Sequence, residues 1–442
     1  MKKIILTLAF AASFTSIVFS QTSNIESAVL DLSAKSYESA KKYIDKAYVN
    51  EETKNSPKMH YYRGYIHLKI ANDSTINSNF PDACEIALRS FIECIKLDTK
   101  KKYEERMDDD NYPIGSITSL VNSSFLCNNK AANLFGSKDY DGAMRNYELI
   151  LEAIPYDKGK DLAKNNLTAT QIQLYYSYAA INARNDKENA YKKCKENKTA
   201  DCEQLLTDKF AYSDKAKNTL TKMIAANYPD PIVYIQLEQL QLADGDTFNA
   251  LLTIEKGLSV IENNKDLMNE ELRIYQARND MNGLIAKLSK SIEVDPTNVN
   301  YILTRGNLYD RHKFEFLNKK KTREADSCSA LAEADYLKCI EINANDTFAL
   351  YSLGALYLQQ GNPIIEKINA LNEKKPDYTQ KLNAFKADLK KLFEKAKPFL
   401  EKSYELKQDD YDIVFALQQL YIKLDMKDKA MEFKKKKEAL TR

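Results

Sequence analysis

Apolar residues recur at intervals of three, four and seven along most of this chain, the spacing of one face of an α-helix, and small residues punctuate that face. Taking the small position as an origin picks out Ala40, Ala87, Ala143, Ala216, Ala250, Leu284, Ala332, Ala396 and Ala430. An apolar residue stands four after nearly every origin: Ile44, Phe91, Tyr147, Leu220, Ile254, Leu288, Tyr336 and Leu400. A second small residue often stands seven after, as at Ala47, Cys94, Gly257, Ser291, Cys339 and Ser403. An aromatic stands three before at Tyr37, Tyr140 and Phe393, with Lys427 breaking the rule. The steps from 216 to 250, 250 to 284 and 396 to 430 are each 34 residues, and the others are 47, 56, 73, 48 and 64. A constant period interrupted by longer steps predicts repeated helix pairs with inserted segments, placed near 71–82, 100–116, 184–206, 311–328 and 362–392.

Composition agrees with long helices joined by short turns. The 442 residues include only 11 Gly and 10 Pro, too few for a many-stranded β fold. Tyrosine is abundant at 28 residues and suits the gaps between packed helices. Among the insertions, 71–82 and 100–116 are polar and read as loops. Segment 362–392 has apolar residues at helical spacing (Ile365, Ile368, Leu371; Leu382, Phe385, Leu389) and reads as two further helical stretches. Most insertions fall between the two helices of a pair and are expected to emerge from one rim.

The local motifs sharpen this pattern. Asp295-Pro296 precedes a helix carrying Gly306 and Tyr309. A later helix carries Leu353, Gly354, Tyr357 and Gly361; Gly64 repeats the small position in YYRGYIHL, and YDGAMRNYELILEAIP ends at Pro155. In this arrangement the chain resembles the tetratricopeptide-repeat (TPR) family over roughly residues 24–440, most strongly at 208–310 and 345–440. The leading helix of the first pair, Asn24 to Ala34, lacks the aromatic and the glycine. The style is similar to exported TPR proteins of Bacteroidota. The resemblance implies an all-α, right-handed superhelical solenoid of about nine hairpins filling residues 21–442. It also implies that the leading helices line a groove that binds a protein or peptide. The groove residues implied are Tyr61, Tyr65, Arg273, Gln276, Asn300, Asn307, Arg311, Tyr351 and Phe415, a mixture of amides, cations and aromatics suited to an extended peptide.

The first residues add a compartment. Lys2 and Lys3 precede an uncharged apolar stretch from Ile4 to Val18, with Val18 and Ser20 at the −3 and −1 positions of a cleavage site. Residues 1–20 therefore read as a secretory signal peptide, too short to span a bilayer. The mature chain is expected outside the cytoplasm, in the periplasm first, with the cell surface or secretion as the other destinations. No integral membrane span is expected after cleavage. The chain has 65 Lys+Arg and 63 Asp+Glu, and loss of Lys2 and Lys3 leaves 63 of each sign. That balance argues against a nucleic-acid partner, which would require a basic surface.

Candidate chemistry is sparse. His60, His67 and His312 are the only histidines, and His60 and His67 stand where packing aromatics are expected. Asp108, Asp109, Asp110 and Asn111 cluster oxygens without the spacing or glycine of a calcium loop. Of the seven cysteines, Cys194 and Cys202 share one insertion and are the candidate disulfide. Cys94 and Cys339 fall on the small packing position, and no CxxC occurs. The expectation is a non-catalytic scaffold of a cell-envelope assembly, with no metal and no cofactor. The alternative is a glycan-binding accessory protein of the SusD-like type, which predicts a lipid-anchoring cysteine, a large non-repeat domain and exposed tryptophan.

Overall fold

The structure is a computed structural model that describes residues 23–104, 114–198 and 202–441. The leader at 1–20 and the acidic run Asp108–Asn111 lie outside the described residues. Among the described residues there is no β-strand.

The helices pair in chain order as antiparallel hairpins. The first unit, residues 1–261, holds α1 (23–33) with α2 (Tyr37–Tyr48) and α3 (Pro57–Asn72) with α4 (Ala83–Leu97). It continues with α5 (Ser116–Gly136) and α6 (Tyr140–Ala153), the single turn α7 (Asp161–Lys164), α8 (Ala169–Asn197) and α9 (Cys202–Ala225), then α10 (Pro231–Ala243) and α11 (Thr247–Val260). The second unit, 262–442, pairs α12 (Lys265–Ala277) with α13 (Met281–Val294) and α14 (Val299–Asn318) with α15 (Thr322–Ile342). There α16 (Thr347–Gln360) pairs with α18 (Tyr378–Leu406) around the short α17 (Asn362–Asn369), and α19 (Tyr411–Lys423) pairs with α20 (Lys427–Leu440).

The turns explain how so few glycines suffice. Three-residue turns at 34–36, 137–139, 244–246, 278–280, 319–321 and 424–426 each put one residue in the left-handed region: Lys35, Lys138, Gly245, Asn279, Lys320 and Asp425. Each closes with an amide bonding five residues back onto the preceding helix, as in Asp246 N to Gln241 O (2.8 Å) and Lys321 N to Phe316 O (2.9 Å), which satisfies otherwise orphaned carbonyls. Leading helices are mostly opened by a polar cap: the side chains of Ser56, Thr168, Asp230, Asn264, Asn298, Asp346 and Asp410 accept from first-turn amides.

Every small origin lies on the second helix of its hairpin, and all are buried except the half-buried Ala430. The partner contact is specific. A Cβ added at Gly64, Gly306 or Gly354 would meet Phe91, Tyr336 or Leu400 at 2.8, 2.9 and 2.5 Å, and these are the residues four after an origin. The glycine on the leading helix thus makes room for the large side chain on the second. Around Leu400 the core gathers Tyr336, Leu353, Tyr357, Phe393, Leu417 and Tyr421.

Insertions mostly lengthen helices. Residues 184–197 and 202–206 extend α8 and α9, 311–328 is the tip of α14 and α15, and 362–392 forms α17 and the first half of α18. Segment 71–82 is a loop with one 3-10 turn at Asn77–Asn79. These four sit between the helices of a hairpin, whereas 100–116 joins successive hairpins.

Candidate functional site

The predicted groove residues sit on leading helices, but not all of them face solvent. Tyr61 and Tyr65 on α3 are buried, at 0% and 8% exposure, and this corrects their assignment to a binding face. For Tyr61 the cause is contact with Tyr103 and Ile114. Tyr103, itself buried, lies with its ring 4.9 Å from that of Tyr61, and the Tyr61 hydroxyl donates to Ile114 O at 3.0 Å. Tyr103 and Ile114 therefore cover Tyr61 on a face of α3 that the sequence leaves open.

In the second unit the predicted residues are accessible. Asn300, Asn307 and Arg311 are exposed along one side of α14 at spacings of seven and four. Arg273 and Gln276 are exposed on α12, where Arg273 pairs with Glu270 at 2.5 Å. Two amides on these faces are engaged by the neighbouring element. Asn307 accepts from the Tyr336 hydroxyl at 2.9 Å, and Asn269 accepts from Tyr301 at 2.6 Å. Asn300 and Arg311 are thus better placed than Asn307 to meet a partner.

Helices α14 and α16 pack on each other, as do α16 and α19, and the exposed face turns aromatic along the second pair. Tyr351 is half-buried against the core, while Phe415 is exposed and stacks nearly parallel on Tyr411, with ring centroids 6.3 Å apart. Lys437 Nζ lies 5.3 Å from the Phe415 ring centroid. Phe348, absent from the sequence prediction, is 67% exposed one turn before Tyr351, with Lys407 at 5.8 Å. Burial, with Asp412 and Asp410 adding to it, pushes the Tyr351 phenol up, so it remains a neutral donor.

The first unit contributes a site the sequence reading missed. A cavity of about 370 Å³ is lined by Asn128, Ala132 and Phe135 from α5, Tyr147 from α6, and Tyr175 and Tyr178 from α8. The α5 residues recur at four and three, so they share a face. Tyr147 and Tyr175 pack with centroids 5.8 Å apart, and burial together with Tyr175 pushes the Tyr147 phenol up to about 12. Burial and Asp230 raise Tyr178 despite its hydrogen bond with Gln236 of α10. Such a pocket, lined by aromatic rings, one methyl and one amide, suits an apolar or aromatic side chain. The spacing of Phe135, Tyr175 and Tyr178 was the available signal, but it joins helices some forty residues apart in sequence.

The remaining candidates are structural. His60 and His67 are buried, and Cys94 and Cys339 are fully buried thiols pushed up to about 12 by burial. Cys194 and Cys202 form a disulfide with Cα atoms 5.7 Å apart. Among the described residues no group of three or more His, Cys, Asp or Glu is arranged to hold a metal, and no helix is long and apolar enough to cross a membrane.

No family model and no curated protein matches the chain. Several solved structures align with it. A MamA protein is 17% identical over 47% of this chain and 90% of its own, with a TM-score of 0.33. YrrB, described as a TPR protein with an unusual peptide-binding site, is 16% identical over 50% of this chain and 91% of its own, at 0.34. A TPR repeats protein from Bacteroides fragilis is 16% identical over 54% of this chain and 98% of its own, at 0.35. The helical-hairpin fold of the present chain rests on the helix pairing described above.

Proposed function

We propose that the chain is an exported, non-catalytic scaffold that takes up a protein or peptide partner of the cell envelope on the exposed faces of its leading helices. The observation that carries this reading is a division of labour on those helices. Gly306, Gly354 and their neighbours face inward and fix the hairpins, while Asn300, Arg311, Phe348 and Phe415 face solvent and contribute little to packing. Amides and a guanidinium grip an extended backbone, and exposed aromatics supply apolar contact area at low entropic cost. The basic and then apolar leader supports export to the periplasm. The Cys194–Cys202 disulfide supports it too, since such bonds persist in oxidising compartments. The glycan-binding alternative draws no support from the structure.

The test is in-cell crosslinking of the intact chain against a variant carrying Asn300→Ala, Arg311→Ala and Phe415→Ala. These residues are exposed, so the far-ultraviolet spectrum and melting point are expected to stay close to the parent. The crosslinked partner band is expected to fall at least tenfold. An undiminished band on a folded variant would exclude this face.

A further inference from the structure

The small cavity of the first unit is walled mainly by rings that no cation of the chain covers. Phe135 comes from α5, Tyr147 from α6, and Tyr175 and Tyr178 from α8, with Asn128 and Ala132 completing the wall. The Tyr147 and Tyr175 rings pack at 5.8 Å, and Phe135 meets Tyr140 edge-on at 5.4 Å, so these rings are fixed by their neighbours. Ala132 is exposed, and Phe135, Tyr175 and Tyr178 are half-buried, so the cavity opens to solvent. Elsewhere in the chain lysines lie over rings: Lys69 is 4.9 Å from the centroid of Tyr65, Lys395 4.5 Å from Tyr357 and Lys429 5.0 Å from Tyr421. Among the described residues no Lys or Arg lies over any of the four cavity rings, and none lines the cavity. Tyr147 gives a second, independent sign. It is only 5% exposed, yet its hydroxyl has no hydrogen-bond partner among the described residues, and the Asn128 side chain has none either. A phenol buried in this way is costly unless a group entering the cavity meets it.

We infer that this cavity binds a small quaternary ammonium alcohol of the choline type, its methyl groups set among the four rings and its hydroxyl within reach of Tyr147 and Asn128. Aromatic faces carry the negative part of the ring quadrupole and attract a cation that has shed its water. The same lining selects among cations. A lysine or arginine side chain would bring several N–H donors against a wall that contains no carboxylate, whereas a quaternary nitrogen brings none to satisfy. An anion would meet those ring faces with no cation in the wall to pair with. A neutral apolar group would fill the same space and gain the burial without the attraction, so charge is what separates the two occupants. Asp230 acts on Tyr178 and adds negative charge beside the cavity. Burial pushes the Tyr147 phenol up to about 12, so near neutral pH the ring acts as a neutral aromatic face and not as a phenolate. The volume of about 370 Å³ is near the lower end of ligand cavities, about 300–1,000 Å³, and fits a head group of this size. The cavity shares no residue with the partner-binding face proposed above, so either reading can fail without the other.

The experiment titrates choline chloride into the folded full chain by isothermal calorimetry, beside two analogues. Dimethylbutanol has carbon in place of the charged nitrogen, and ethanolamine keeps the charge but carries N–H groups. Choline is expected to bind at least about tenfold more tightly than either analogue. Tyr175→Leu, which keeps apolar bulk and removes one ring, is expected to weaken choline binding by about tenfold, and Tyr175→Phe is expected to restore it. Absence of choline binding, equal binding of dimethylbutanol, equal binding of ethanolamine, or undiminished choline binding by a folded Tyr175→Leu chain would each overturn the assignment. The analogue series on the unsubstituted chain decides the matter even if the leucine variant does not fold.

Discussion

In the second unit, residues such as Tyr336, Tyr357, Phe393 and Leu400 fill a continuous apolar core. In the same unit two nitrogens of Arg305 meet the Asp335 carboxylate at 2.7 and 3.0 Å. The second helix pair of the first unit is built otherwise. There α3 is buried on nearly every side and carries His60, Arg63 and His67 among its inward residues, with Asp45 of α2 lying 3.6 Å from His67 and 3.5 Å from Arg63. Arg63 also lies 3.8 Å from the Tyr48 ring centroid. The α3–α4 pair thus keeps the packing of Gly64 against Phe91 and adds to it a half-buried charge cluster. Both cores are sensitive to volume, and the charge cluster adds a sensitivity to pH in the first unit.

The largest effect is expected from volume. Leu400 is fully buried beneath Gly354, so Leu400→Ala removes packing that the glycine was placed to receive. The cost is expected at about 2–5 kcal/mol, with cavity formation added to lost transfer energy. Because each hairpin contacts mainly its neighbours, the loss of amide protection should concentrate in α16, α18 and α19 and leave α2 to α4 nearly untouched. Hydrogen exchange resolved by mass spectrometry reads this directly. Uniform loss across both units would show that the two cores unfold as one and would erase the distinction.

Much of the volume-sensitive core could be read from the sequence, because it depends on period. The origin at Ala396, the apolar residue four later at Leu400 and the glycine at Gly354 are one contact written in three places, and the same holds for Ala332, Tyr336 and Gly306. The charge-bearing region was not legible in that way. Helix α3 has apolar and aromatic residues on every side, so a helical period selects no face. Tyr61 reads as a groove residue until Tyr103 and Ile114, some forty and fifty residues later, are seen to cover it. The turns were hidden for a different reason. Lys35, Lys138 and Lys320 occupy left-handed positions where glycine or asparagine is the usual sign. The cavity formed by Phe135, Tyr147, Tyr175 and Tyr178 depends on three helices meeting, which spacing within any one of them does not record.

A smaller effect is expected from acid, confined to the first unit. Burial holds His67 below its ordinary value, opposed by Asp45 and reinforced by Arg63 and Lys41. Burial does the same for His60 against the Lys54 carbonyl and Glu93. Both therefore have folded-state values below the unfolded value near 6.5. As pH falls below about 6.5 the unfolded chain takes up protons that the folded chain resists, so stability decreases until the folded values are passed. Asp45 does not oppose this trend. Although burial would raise it, His67 and Lys41 hold it well below the ordinary carboxylate range, so its own contribution is lost only at far lower pH. Amides of α2 to α4, corrected for intrinsic exchange, should lose protection between pH 7 and pH 5, and His67→Asn should flatten that slope. Equal loss in α16 to α19 would detach the effect from these histidines.

The smallest global effect is expected from the Cys194–Cys202 bond, and it sharpens the comparison between the two long hairpins. The tip of α8 and α9 is tied by this disulfide and by the Lys187–Asp208 and Lys209–Glu188 pairs at 2.8 and 2.5 Å. The tip of α14 and α15 has instead the three-residue turn at 319–321. With the bonded positions eight apart in sequence, chain entropy assigns the disulfide about 2–3 kcal/mol, acting on the local opening of the tip. The hairpin's packed centre, at Ala179, Ala180, Ala216 and Leu220, lies well inside that tip and is fully buried without its help. Such half-buried surface pairs contribute about 1 kcal/mol each and do not replace the covalent tie. Cys194→Ser with Cys202→Ser should therefore raise amide exchange across 187–209 to the level seen at the α14–α15 tip, while the melting point moves less than for Leu400→Ala. A fall in melting point as large as that of Leu400→Ala would mean that the tip, rather than the alanine-lined centre, holds this hairpin in the stack.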